Sequence, residues 1–276
     1  MSWGPLLGVL LVLLALGAVV GVLLRRRGSD LAGSTEVAAP RGHARGERGP
    51  AVGSFSDLVG RRELLKGIER MGWTSPTAAQ LRIAPLIRAG KDVIAVATSG
   101  TGKTGAYLLP LLDVQAGREG LGILILCARA NEVRKVSRIA RRVTDETQLW
   151  IGEVHDEAPL DAQVRDLRAG YDVLIATPDR LSEHLSRGNV ALGEVNTVVL
   201  HDADRLLETR RDATVRILDQ TRQRRQIVAL IGRDSEAVRD ELRRFSRNAE
   251  WVDTTPTAAR RGAAPADRAA RERAQP

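Results

Sequence analysis

Apolar residues fall along this chain in two different rhythms. Leu6 to Leu24 is an unbroken run of apolar residues and glycine, closed by Arg25, Arg26 and Arg27. From Phe55 onward, short apolar runs alternate with stretches of helical spacing. The runs at 92–96, 121–127, 149–154, 172–176, 195–200 and 226–231 predict strands, and Glu250–Val252 predicts a short last one. Helical spacing covers Arg61–Met71, Thr77–Arg88 with Pro85 as a kink point, Asn131–Val143, Asp179–Ser186 and 234–246. Strands that are apolar throughout, separated by amphipathic helices, predict an α/β fold with a parallel sheet covered on both faces.

The first run has about the length needed to cross a hydrocarbon core. No basic segment precedes it and no small-residue cleavage site follows it, which argues against a cleaved signal peptide. A soluble helix is rarely apolar on every face. The expectation is a single membrane anchor through residues 3–24. The three arginines on its C-terminal side place the rest of the chain in the cytoplasm. Gly, Ala, Arg, Pro and Ser dominate from Gly28 to Gly53, and Ala, Arg and Pro dominate after Thr254. The organisation expected is therefore an anchor with its basic flank at 1–27, a flexible linker at 28–53, a domain at 54–253 and a disordered basic tail at 254–276.

Composition narrows the functional classes. The net charge of +8, carried mostly by arginine, suits nucleic acid or an anionic membrane and names neither. Aromatic residues make up 3% of the chain, which argues against a base-stacking platform. Cys127 is the only cysteine, so a disulfide within the chain and a cysteine-based zinc site are both excluded. It ends an apolar run and reads as a buried strand residue. His43, His155, His184 and His201 show no metal-ligand spacing.

The strongest chemical signal is the stretch Ala97 to Thr104, with Ser99, Gly100, Thr101, Gly102, Lys103 and Thr104 between a strand and a helix. Small residues let backbone N–H groups turn inward around phosphate oxygens, and a helix N-terminus favours negative charge there. Lys103 adds a point charge for the β- and γ-phosphates, and the Thr104 hydroxyl is placed to ligate Mg²⁺. This is the layout of a phosphate-binding loop.

Further residues narrow the class. Gly72, Trp73, Pro76, Thr77 and Gln80 precede the loop, and Phe55 stands seventeen positions ahead of Gly72. This resembles the Q motif of DEAD-box RNA helicases. The resemblance implies a RecA-like P-loop lobe in which Gln80 reads the adenine edge and Phe55 stacks on the base. A glutamine amide offers the donor and acceptor that adenine requires. Residues 97–104 resemble the family's Ala-Gln-Thr-Gly-Ser-Gly-Lys-Thr. Thr177, Pro178, Asp179 and Arg180 resemble its Thr-Pro-Gly-Arg, which implies backbone contacts to RNA through Thr177 and Arg180. Arg129 matches one position of a third motif, also on the RNA side. The resemblance spans about Phe55 to Trp251, one lobe of the family's two, and implies ATP and Mg²⁺ as ligands.

Its departures are concentrated in the catalytic motifs. Where the family writes Asp-Glu-Ala-Asp, this chain writes His201, Asp202, Ala203 and Asp204. His201 stands at the position that holds the Mg²⁺ water shell, and a neutral imidazole is a poor partner for a hard cation. Asp202 stands where a glutamate activates the attacking water. It is one methylene shorter, and a misplacement of about 1 Å costs on the order of a hundredfold in rate. Ile231, Gly232 and Arg233 replace the family's Ser-Ala-Thr, leaving Asp204 without its hydroxyl partners; Arg233 is a substitute partner. The chain ends where the family's second lobe begins, and one lobe alone is expected not to unwind RNA.

The resulting expectation is a membrane-anchored, DEAD-box-like ATP-binding domain with weak, backbone-directed RNA binding and impaired hydrolysis. Two alternatives stand beside it. One is an active ATPase lobe completed by a partner protein that supplies the second half. The other is a scaffold that has kept the fold and lost the nucleotide.

Overall fold

The computed structural model describes residues 53–98, 100–246 and 248–255. The expected anchor, linker and tail lie outside this range, save Gly53 and residues 254–255. Among the described residues no helix is long and apolar enough to cross a membrane.

A capped 3₁₀ turn at Phe55–Asp57 leads into α1 (Arg62–Arg70) and α2 (Ala78–Arg88). Strands and helices then alternate: β1 (Val93–Val96), α3 (Lys103–Gln115), β2 (Ile123–Cys127), α4 (Ala130–Val143), β3 (Ile151–Val154), α5 (Leu160–Ala169), β4 (Val173–Ala176) and α6 (Pro178–Ser186). The chain continues through β5 (Thr197–His201), α7 (Ala203–Thr209), α8 (Arg211–Asp219), β6 (Gln226–Ile231), α9 (Glu236–Phe245) and β7 (Glu250–Asp253). The predicted strands all appear, with boundaries shifted by at most two residues. Pro85 does not end its helix, because α2 continues through it to Arg88.

The seven strands form one sheet in the order β3-β4-β2-β5-β6-β1-β7, and every pairing is parallel. Strands β2, β4 and β5 are buried at every position. That is why they read as continuous apolar runs: helices cover both of their faces. Alternate residues enter different cores. Ile123, Ile125, Cys127 and Val199 join Tyr107, Leu108 and Val136 on one side, while Leu124, Leu126, Val198 and Leu200 join Leu181, Leu206 and Ile217 on the other. Cys127 is fully buried at the end of β2, and burial pushes its thiol pKa well up. It behaves as a small core residue rather than a reactive thiol.

Parallel strands bring all their carboxyl ends to one edge. The loop after β1, the turn after β5 and the end of β6 meet there, because β6 lies between β1 and β5. Ligands bind at such an edge in open α/β sheets.

Candidate functional site

Backbone geometry builds the loop after β1. Ala97 still donates to Ile231 O at 2.9 Å, extending the β1–β6 pairing by one residue. The chain then turns sharply, with Gly100 at φ 86° and Gly102 at φ 84°. Gly102 is the N-cap of α3, and its left-handed conformation requires a residue without Cβ strain. The Thr101 hydroxyl donates to Thr98 O at 2.8 Å and pins the turn from inside. Lys103 and half-buried Thr104 open α3, so the first-turn N–H groups face the same edge as both side chains. Ser99 lies outside the described residues.

The segment before β1 locks onto this loop. Thr77 caps α2, and its hydroxyl also donates to Thr101 O at 2.9 Å. Gln80 is 4% exposed; its Oε1 accepts from Thr77 N at 2.9 Å and its Nε2 donates to Gly102 O at 3.4 Å. Gly105 permits this approach, because a Cβ there would lie 2.5 Å from Gln80 Nε2 and 3.3 Å from Trp73 Cζ3. Phe55 is 9% exposed and stacks on Trp73, with centroids 6.3 Å apart and planes inclined by 27°. The two residues that the resemblance gives to adenine are therefore built into the loop's support. Trp73 and Thr77 carry that support as well. Both belong to the stretch that resembles the Q motif, but the sequence did not reveal that Thr77 holds Thr101 or that Trp73 stacks on Phe55.

The turn after β5 carries three of the predicted residues, and each has a partner. His201 is the last residue of β5 and pairs with Cys127 of β2. Strand alternation turns its ring inward, where Nδ1 lies 3.1 Å from Tyr107 Oη and the two rings meet edge to face at 5.9 Å. Burial lowers the imidazole pKa from 6.5 to about 4, with Asp202 opposing that shift and Lys103 and Lys135 adding to it. Burial also raises the Tyr107 phenol well above its usual range. A neutral imidazole and a neutral phenol satisfy each other in this geometry. No sequence signal marked Tyr107 as the partner.

Asp202 stands at the N-cap position of α7 with φ 52°, a left-handed position unusual for a side-chain-bearing residue, and its side chain does not bond the helix end. Its carboxylate forms an ion pair and hydrogen bond with Lys103. Burial opposes its ionisation. The Lys103 hydrogen bond, with His201, Lys103 and Arg205 charges, outweighs burial and holds its pKa below the usual carboxylate range. Asp204 accepts from the backbone N–H groups of Gly232 and Arg233, both at 3.1 Å. Arg233 is thus the substitute partner, chiefly through its main chain, since its Nε is 3.9 Å from Asp204 Oδ2.

A divalent cation therefore has little to hold it. His201 faces Tyr107, Asp202 holds Lys103, and Asp204 holds two amides. Magnesium keeps its waters unless carboxylates and phosphates replace them, and Thr104 offers one neutral oxygen. The residues present do not fit a magnesium site, and among the described residues no other cluster could hold a metal.

The residues given to RNA sit farther along the same edge. Arg129 is the N-cap of α4 and, with Asn131, Asp156, Glu157 and Arg210, lines an open cavity of about 330 Å³. Thr177 is buried at the start of α6. Arg180 points back into the protein, donating to Ala158 O at 3.2 Å and Asp156 O at 3.1 Å. Asp179, at the family's glycine position, pairs with Arg210.

A parallel sheet with Gly-Lys-Thr after its first strand, met by an acidic turn two strands away, has the layout of a P-loop domain. Comparison with known proteins narrows the class. The family profile described as DEAD/DEAH box helicase matches residues 77–231. The chain is 32% identical over 162 residues to DEAD-box ATP-dependent RNA helicase 52A of Oryza sativa subsp. japonica, covering 52% of this chain and 27% of that protein. It is 33% identical over 170 residues to ATP-dependent RNA helicase HAS1 of Saccharomyces cerevisiae, covering 59% of this chain and 34% of that protein. A crystal structure of a hypothetical ATP-dependent RNA helicase from Sulfolobus tokodaii superposes with a TM-score of 0.65 at 28% identity, covering 70% of this chain and 57% of that one. The chain belongs to the DEAD/DEAH box helicase family, and it spans about a third or less of the length of these curated relatives.

Proposed function

We propose that this chain holds ATP rather than turning it over, and that residues 3–24 tether it to a membrane with the lobe on the cytoplasmic side. The observation that carries the reading is the contrast between loop and turn. The phosphate loop keeps its glycines, Lys103 and Thr104, in a conformation fixed by Thr77 and Gln80. In the turn after β5, the first position is a core imidazole and the base position is a short carboxylate already bound to Lys103. Phosphoryl transfer needs charge placed to a fraction of an ångström around the transferring group. A loop that can cradle phosphates beside an acid turned to other partners supports binding without efficient hydrolysis.

Gln80 uses one of its two amide hydrogens and one of its two acceptor sites on the loop's support, which leaves a donor and an acceptor for adenine. RNA binding is weak in this reading. Arg180 is spent on two carbonyls, and the Asp179 carboxylate adds repulsion toward phosphate.

The test is binding of a fluorescent ATP analogue to the full chain, followed by anisotropy. Saturable binding that Lys103→Ala abolishes is expected. RNA-stimulated phosphate release at multiple turnovers per minute would overturn the holding role and favour an active lobe. Reporters fused to each terminus test the tether: cytoplasmic accessibility of both ends would refute the single crossing.

A further inference from the structure

The turn after β5 has an arrangement that specifies the form of the ligand. Each of its three polar positions already has a partner within the protein. His201 is 7% exposed, with its ring against Tyr107 of α3 and Nδ1 at 3.1 Å from the phenol oxygen. Asp204 has both carboxylate oxygens on main-chain N–H groups at 3.1 Å. Asp202 is paired with Lys103 itself. We propose that this site takes the nucleoside triphosphate as the metal-free anion, so that binding does not need a divalent cation.

The inference rests on the nucleotide-holding reading above and goes further into the same site. A divalent cation beside a phosphate loop screens the phosphates from neighbouring carboxylates and bridges the two. Here the need for that screen is small. The position nearest the end of β5 is a neutral ring turned into the core. Asp204 has its two carboxylate oxygens on the main-chain N–H groups of Gly232 and Arg233. The one carboxylate that does approach the loop, Asp202, comes with its own counter-charge in Lys103. An ammonium has three N–H donors, so Lys103 can keep one on Asp202 and give the others to phosphate oxygens. The N–H groups at the start of α3 and the turn at Gly100 and Gly102 supply the remaining positive potential. On the metal's side, magnesium gives up water reluctantly and is held through carboxylates. With those spent, Thr104 alone does not recover the cost of stripping its shell.

The experiment is equilibrium binding of a fluorescent ATP analogue to the full chain in mild detergent. It is measured once in excess magnesium and once in excess EDTA at matched ionic strength. The dissociation constants are expected to agree within about fivefold, a difference of about 1 kcal/mol. A larger loss of affinity in EDTA overturns the proposal. A second arm restores the acid with His201→Asp and removes the phenol with Tyr107→Phe. That protein is expected to lose more than about tenfold in affinity when magnesium is withdrawn. If it stays as indifferent to metal as the parent, the assignment to position 201 is wrong. Absence of saturable binding in both solutions, with Lys103→Ala indistinguishable from the parent, refutes nucleotide holding itself and the metal-free form with it.

Discussion

Acidification should loosen this fold, most of all at the imidazole of His201. In the folded chain its pKa is about 4, against 6.5 for the free side chain, because burial against Tyr107 and Cys127 disfavours the cation. Between those two values the unfolded chain binds a proton that the folded chain refuses. Stability from this group is therefore complete above pH 6.5, falls as pH drops through that window, and levels off below pH 4. The full span of about 2.5 units corresponds to about 3 kcal/mol, and about 2 kcal/mol of it is lost by pH 5. Against a typical domain stability of about 5–15 kcal/mol that is a visible fraction.

Urea unfolding at pH 7.5 and pH 5 measures the effect, with His201→Asn as the reference. An amide keeps a hydrogen bond within reach of Tyr107 and does not titrate. The parent should lose about 2 kcal/mol more than the variant between the two pH values. The buried His184 ring, held between Gln163 and Asn189, is also lowered by burial and contributes with the same sign. It is present in both proteins, so the difference isolates position 201. If parent and variant lose stability in parallel, His201 is not buried as a neutral base and the reasoning fails.

Other perturbations test the surrounding structure. Gly67→Ala should destabilise by about 1–3 kcal/mol in a thermal melt, although alanine normally improves a helix interior. Its Cβ would lie 2.1 Å from Val143 O, forcing α1 away from α4. Gly105→Ala pushes on Gln80 Nε2 at 2.5 Å and should weaken analogue binding by at least about tenfold, while circular dichroism keeps the helical signal. Asp204→Ala removes two hydrogen bonds to exposed main-chain N–H groups, which water then satisfies, and should cost about 1 kcal/mol in urea unfolding; an unchanged midpoint would show that the pair is not formed. His201→Asp combined with Asp202→Glu, assayed for phosphate release, should raise turnover above the parent if the altered acids limit hydrolysis.

Most of the sheet was legible because strands such as Ile123–Cys127 are covered on both faces and carry no polar position to blur the run. Errors sit where burial and strand pairing part company. Val195 is fully buried yet precedes β5, whereas His201 is polar and belongs to it. The phosphate loop and its capping threonine were legible because local backbone geometry dictates their residue types. The partners were not. Tyr107 and His201 are 94 positions apart, and only the stacking of α3 on the end of β5 brings them together. Arg180 looked like a surface cation because a sequence does not reveal the carbonyls of Asp156 and Ala158 beside it.

The tie between Asp204 and the 232–233 turn runs to main-chain amides, which every residue but proline supplies. Side chains at those positions can therefore change without breaking it, and a Cβ on Gly232 would meet Asp204 only at 3.5 Å, an ordinary contact. Drift at positions 232 and 233 is thus cheap in this chain and reversible. A serine, alanine and threonine could be grafted into 231–233 with the existing anchor still in place. The lobe is a ready scaffold for rebuilding, one hydroxyl at a time, the connection between nucleotide and strand end.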